Sequence, residues 1–227
     1  DGFNMLARLI FNTPLEGFLR KVLNKPKIEF TNSSEYWDLR YQKKGDSGAG
    51  SYGRLAEFKA EIINQFVKEH QIESLIEFGC GDGAQLALAE YPNYIGVDVS
   101  KTIIATCKEK FAGDETKRFV HTDEYNHEQA DLSMSLDVIY HLVEDPIFEG
   151  YMRNLFAAAK HYVIIYSSDK EETQINEHVR HRKFTQWVER NIKDFEFVEK
   201  IPNKYPYSEL NRNQTSFADF YIYKRRA

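Results

Sequence analysis

Between Ile76 and Gln85 the chain reads IEFGCGDGAQ, with glycines at 79, 81 and 83. Alternate glycines let a backbone approach a neighbour that side chains would hold off. Asp98 lies 19 residues beyond Gly79. That is the offset at which a carboxylate ending the next strand accepts hydrogen bonds from ribose hydroxyls. Loop and aspartate together describe a nucleoside site.

Gly79, Gly81 and Ala84 also satisfy the spacing of a dinucleotide loop, so a nicotinamide-dependent oxidoreductase is one reading. Glu77 argues against it. A carboxylate two residues before Gly79 would repel a pyrophosphate docked on a helix N-terminus. It suits a ligand with an ammonium group, such as S-adenosylmethionine, which has a ribose and no phosphate. Cys80, inside the loop, reads as a small buried residue. A non-catalytic module keeping the same fold is the third reading, and the intact Gly79–Gly81–Asp98 set speaks against it.

A second group of polar residues follows in SLDVIYHL (135–142). His141 is a natural base for a hydroxyl, and Asp137 would orient it or touch the cofactor. Two candidate ligands without a third do not make a metal site. The stretch NEHVRHRKF (176–184) supplies His178, Arg180 and His181. It leaves a strand on the same side as the glycine loop, and arginine forks suit carboxylates and phosphates. EYWDLRY (35–41) adds Tyr36 and Arg40, and Tyr140 stands beside His141. Tyr205 and Tyr207, in a late loop, open on the same side. GDSGAGS (45–51) has phosphate-loop glycine spacing but lacks the lysine; it reads as a lid before the sheet.

These residues need a frame. Apolar spacing predicts helices at 54–70, 84–91, 101–111, 145–160 and 184–193. It predicts strands at 74–79, 93–100, 117–123, 130–139, 161–168, 195–201 and 216–224. Strands alternating with helices give a doubly wound α/β sheet. Residues 202–215 are too short and polar for a crossover helix, so the last two strands pair antiparallel. The fold class is therefore a mostly parallel seven-stranded sheet with one antiparallel strand. An N-terminal helical extension and lid (1–70) precedes the sheet domain (71–227). Residues 3–24 read as two short helices split at Pro14, and 25–53 as irregular.

EFGCGDG with GVDVS resembles the first two cofactor motifs of class I S-adenosylmethionine-dependent methyltransferases, whose Rossmann-like fold is the sheet just described. The resemblance covers residues 70–227. It implies that Gly79 and Gly81 line the methionine part and that Asp98 holds the ribose. It implies that Val99 packs on the adenine, that Asp123 contacts the adenine amine, and that Glu77, Cys80 and Leu136 complete the cofactor site. The Asn/Asp-Pro-Pro-aromatic run of amide and adenine methyltransferases is absent, as is the Pro-Cys pair of cytosine enzymes, so an oxygen acceptor is expected. YWDLRYQKKGDSGAGSYGRLAEFKAEIIN with HVRHRKFTQWV resembles bacterial methyltransferases of surface-polysaccharide synthesis. That implies an anionic sugar, sugar phosphate or glycan-linked phosphate as acceptor.

The composition agrees with a globular enzyme. The 227 residues include 42% hydrophobic and 14% aromatic residues, with net charge −5. An acidic chain gives no general grip on nucleic acid. Two cysteines, Cys80 and Cys107, give no disulfide framework and suit a cytoplasmic setting. No apolar run approaches a membrane span. Basic residues between Arg8 and Lys27 flank an apolar stripe. Packing against the domain or a second subunit is expected there, as monomer or homodimer, with peripheral membrane contact as the alternative.

Overall fold

Long amphipathic segments and β-branched runs divide this chain between the faces and the centre of one sheet. The computed structural model describes residues 28–172 and 177–227. The expected pair of helices around Pro14 lies outside the described residues. Helix α1 spans Ser33–Gln42 and α2 Gly53–Glu69. Strand β1 is Ser74–Phe78 and β2 Asn93–Asp98, followed by α3 at Lys101–Lys110. Then come β3 (Lys117–His121), β4 (Ala130–Leu136) and α4 (Asp145–Ala157). Strand β5 (Ala159–Ser167), α5 (Phe184–Asn191), β6 (Phe195–Ile201) and β7 (Asp219–Arg225) complete the sheet.

The strands lie in the order β3-β2-β1-β4-β5-β7-β6. All pairs are parallel except those of β7, which runs antiparallel to both β5 and β6. The central strands are buried on both faces, as their unbroken apolar runs require. Helices α2 and α3 cover one face through Phe58, Ile63, Phe66, Ile104 and Cys107. Helices α4 and α5 cover the other through Phe148, Met152, Leu155, Phe184 and Val188. The strand order reverses between β1 and β4. A crevice opens there beyond the strands' carboxyl ends, where such sheets bind ligands.

Two expectations need correction. The helix expected at 84–91 is only a 3₁₀ turn, Leu86–Leu88. Pro92 biases Tyr91 away from helical backbone. Asn64 takes the turn's free groups: its Nδ2 donates to Leu88 O at 3.0 Å, and its Oδ1 accepts from Glu90 N at 3.0 Å. Residues 33–42, expected to be irregular, form α1. Its start is fixed by Asn32, whose Oδ1 accepts from Glu35 N at 2.9 Å. That Asn-x-x-Glu cap was readable; the helix itself shows no one-sided apolar stripe, which hid it.

Candidate active site

The glycine loop leaves β1 with left-handed backbone at Gly79 (φ 79) and Gly81 (φ 56). A Cβ on Gly79 would lie 2.5 Å from Val138 Cγ2, and one on Gly81 2.6 Å from Ser47 Oγ. The glycines thus admit close packing against the turn after β4 and against the 45–53 segment. The loop lines a cavity of about 360 Å3, with Glu77, Cys80, Asp98, Val99 and Leu136 in its wall.

Asp98 ends β2, buried, with Oδ2 accepting from Gly81 N and Oδ1 from Ser100 N, both at 3.0 Å. Each oxygen keeps a lone pair for a ligand. Burial raises its carboxyl above the ordinary value. Glu77 is also buried and accepts from Tyr94 Oη at 2.6 Å. Its carboxyl is raised to about 7, chiefly by burial. In the same wall Gln85 donates from Nε2 to Ala56 O at 3.0 Å, while its buried Oε1 has no partner. A buried carboxyl and an orphaned carbonyl suit an ammonium group, and Asp98 suits a diol. Val99, Thr122 and Tyr125 give a surface for a flat base. Asp123 is not in this wall. Its side chain is 79% exposed, and its amide donates to His121 Nδ1 at 3.2 Å.

A second cavity of about 220 Å3 adjoins the first. Tyr36, Arg40, Tyr140, His178 and Phe217 line it; Trp37, Ser47, Asp137 and His141 line both. Tyr36 stacks on His178 with ring centres 4.7 Å apart. The 45–53 segment forms another wall and is tied to the glycine loop. Asp82 Oδ2 accepts from Ser47 N at 3.2 Å and from Tyr52 Oη, and Asp82 N donates to Ser47 Oγ at 2.9 Å.

His141 follows β4 in a 3₁₀ turn. Its Nδ1 donates to His178 O at 3.1 Å. A carbonyl only accepts, so the hydrogen is on Nδ1 and Nε2 carries a lone pair. Burial depresses its pKa to about 4. The expected Asp137–His141 pairing is not found. Asp137 accepts from Lys59 Nζ at 2.7 Å and from Tyr140 Oη at 2.9 Å instead. Lys59, only 1% exposed, escaped the sequence reading because it falls among the charged positions of an amphipathic helix.

The basic stretch is dispersed. Arg180 donates to Val143 O at 3.0 Å and pairs with Asp145 at 2.9 Å. Arg182 donates to Leu142 O and Val143 O, both at 2.6 Å. His181 is bonded to Ser168 Oγ at 2.6 Å. Arg180 and His181 line neither cavity. The arginines clamp the backbone after β4, a structural task with the same charge signature as anion binding. Tyr205 packs under Arg54 and Tyr207 bonds Glu209, and neither lines a cavity. Among the described residues there is no cluster of metal-binding side chains and no helix long and apolar enough to cross a membrane.

Residues 76–155 match the family model of a methyltransferase domain. The mouse (Mus musculus) EEF1A lysine methyltransferase 4 is 33% identical over 82 residues, 34% of this chain and 31% of that protein. The mouse eEF1A lysine and N-terminal methyltransferase is 28% identical over 92 residues, 39% of this chain and 13% of that protein. The chain therefore spans less than a third of these relatives. Magnesium protoporphyrin IX methyltransferase (ChlM) from Synechocystis PCC 6803, solved with SAH, superposes with a TM-score of 0.59 at 13% identity, covering 98% of this chain and 99% of that one. N-methyltransferase NodS from Bradyrhizobium japonicum WM9, also with SAH, gives 0.59 at 14% identity over 76% and 88%. Residues 76–155 are thus similar to a methyltransferase domain, and the sheet around them has the Rossmann-like fold of these solved methyltransferases. S-adenosylmethionine is the cofactor of this fold, and the larger cavity is chemically suited to it.

Proposed function

We propose that this chain transfers the methyl group of S-adenosylmethionine to a hydroxyl oxygen of an acceptor seated in the smaller cavity. One observation carries the reading: His141 stands in the wall shared by both cavities with its Nε2 lone pair uncommitted. Glu77, Gln85, Asp98 and Val99 would hold the cofactor, which supplies an activated methyl. The chain positions the acceptor, excludes water and takes a proton at His141 Nε2. An imidazole with a depressed pKa is a weak base, but it is unprotonated at every physiological pH.

The acceptor class we favour is a sugar or glycan terminus. Tyr36, Trp37, Tyr140 and Phe217 offer flat apolar faces to a ring. An anionic group is not required, because Arg180 is spent on the fold; Arg40 is the cation of this cavity. The test is incubation with methyl-labelled S-adenosylmethionine and fractionated acceptors, including neutral and phosphorylated sugars. Label should enter a hydroxyl-bearing fraction as an ether. Label found only in protein amines would replace this reading with lysine methylation, the activity named for the two mouse relatives.

A further inference from the structure

Asp137 is where the two cavities meet, and both of its oxygens are committed. Lys59, from α2, reaches it at 2.7 Å with a side chain 1% exposed. The Tyr140 hydroxyl donates to the other oxygen at 2.9 Å. The Asp137 backbone is left-handed (φ 61), and its amide donates to Tyr166 O at 2.9 Å. A residue with a Cβ keeps that conformation only where its surroundings over-determine it. Gly50 packs so closely that a Cβ there would lie 2.8 Å from Asp137 Oδ2.

This arrangement fixes the polarity of hydrogen bonding at the junction. Tyr140 has given its one hydroxyl hydrogen to Asp137, so its oxygen can only accept from a ligand. His141 has given its ring hydrogen to His178 O and also only accepts. Asp137 brings no hydrogen. Arg40, the cation of the smaller cavity, spends Nε and Nη2 on Asp46 at 2.7 and 2.8 Å. At Asp137, Tyr140 and His141 themselves, a donor must therefore come from the ligand.

We propose that Lys59 is a positioning residue which, by pinning Asp137, holds Tyr140 as an acceptor beside His141, so that the group meeting these residues carries its own hydrogen, as a hydroxyl does and a carboxylate does not. The proposal rests on the methyl-transfer reading for its function, but its test reads binding and needs no turnover.

Phenol and benzoate are minimal one-ring probes of the two groups. Each is titrated into the full chain with S-adenosylhomocysteine present, followed by ligand-observed NMR. The wild-type chain should prefer phenol by about tenfold, the worth of one hydrogen bond made against one left unmade. In Lys59→Met/Asp137→Asn both charges of the pair leave together, and the new amide brings a donor, so the preference should fall to parity or reverse. Tyr140→Phe, which leaves the Lys59–Asp137 pair intact, should weaken phenol binding and spare benzoate. Equal or tighter benzoate binding by the wild type would assign the site's polarity to Arg40 and overturn the proposal, as would failure of the wild type to bind phenol. An unchanged preference in the folded double variant, or in Tyr140→Phe, would also overturn it. None of these outcomes bears on whether label passes from S-adenosylmethionine to an acceptor.

Discussion

The two cavities share a wall but are built differently. The cofactor cavity takes its glycine loop and its two buried carboxylates from one continuous piece of chain, β1 through the end of β2, while α1, the 45–53 segment, the turn after β4 and α4 close it. The acceptor cavity gathers residues from five separate places: α1, the 45–53 segment, the turn after β4, residues 178–179 and Phe217. A site centred on one stretch is constrained by fold and leaves spaced glycines and acids in sequence. A site gathered from scattered places is free to change and leaves little pattern.

The largest effect should come from the residue joining the two. Lys59→Met leaves Asp137, whose side chain is 14% exposed, without its cation and should cost about 3 kcal/mol of stability, measured by denaturant unfolding. Lys59→Met/Asp137→Asn should recover most of it. If the single variant unfolds like the wild type, the pair does not tie the cavities together.

Asp98→Ala should weaken S-adenosylmethionine binding by about 2–4 kcal/mol, the loss of two charge-assisted hydrogen bonds. Calorimetry showing unchanged affinity would remove the ribose assignment. Glu77 gives a smaller, pH-dependent signature. Its carboxyl is raised to about 7, so below that pH it is largely neutral and attracts an ammonium less. Cofactor affinity should fall by up to about tenfold per unit as the pH drops below 7, with proton release on binding near neutrality. A flat affinity between pH 5.5 and 8 would dissociate Glu77 from the ligand's ammonium.

The smallest effect is expected at Arg180. Its partner Asp145 is 62% exposed, so Arg180→Ala should cost about 1 kcal/mol or less in stability. The acceptor KM should not move. A severalfold rise in KM would return the basic stretch to the acceptor site.

The sheet was legible because parallel strands buried on both faces must be continuously apolar, as in VIIY of β5, and because residues 202–215 excluded a last crossover. The cofactor wall was legible for the same kind of reason: a loop with left-handed backbone needs glycine, and Asp98 must end a strand. Asp123 was misplaced because a strand-end acid leaves the same letters whether it points inward or to solvent. The turn at 86–88 was missed because the deciding partner, Asn64, comes from α2 rather than from its neighbours in sequence. The acceptor side suffered most. Arg180 clamping a backbone and Arg180 holding a phosphate have one composition, and Lys59 looks like any charge on an amphipathic helix until the fold buries it.

The most direct measurement is single-turnover methyl transfer by wild type and His141→Ala at saturating labelled S-adenosylmethionine, with cofactor affinity measured in parallel. If the cavities divide the work as described, the variant should transfer about 10²–10⁴ times more slowly while binding the cofactor as the wild type does. The wild-type rate should hold down to about pH 4, where His141 protonates. Near wild-type transfer by His141→Ala would contradict the base assignment and leave proximity alone to account for the reaction.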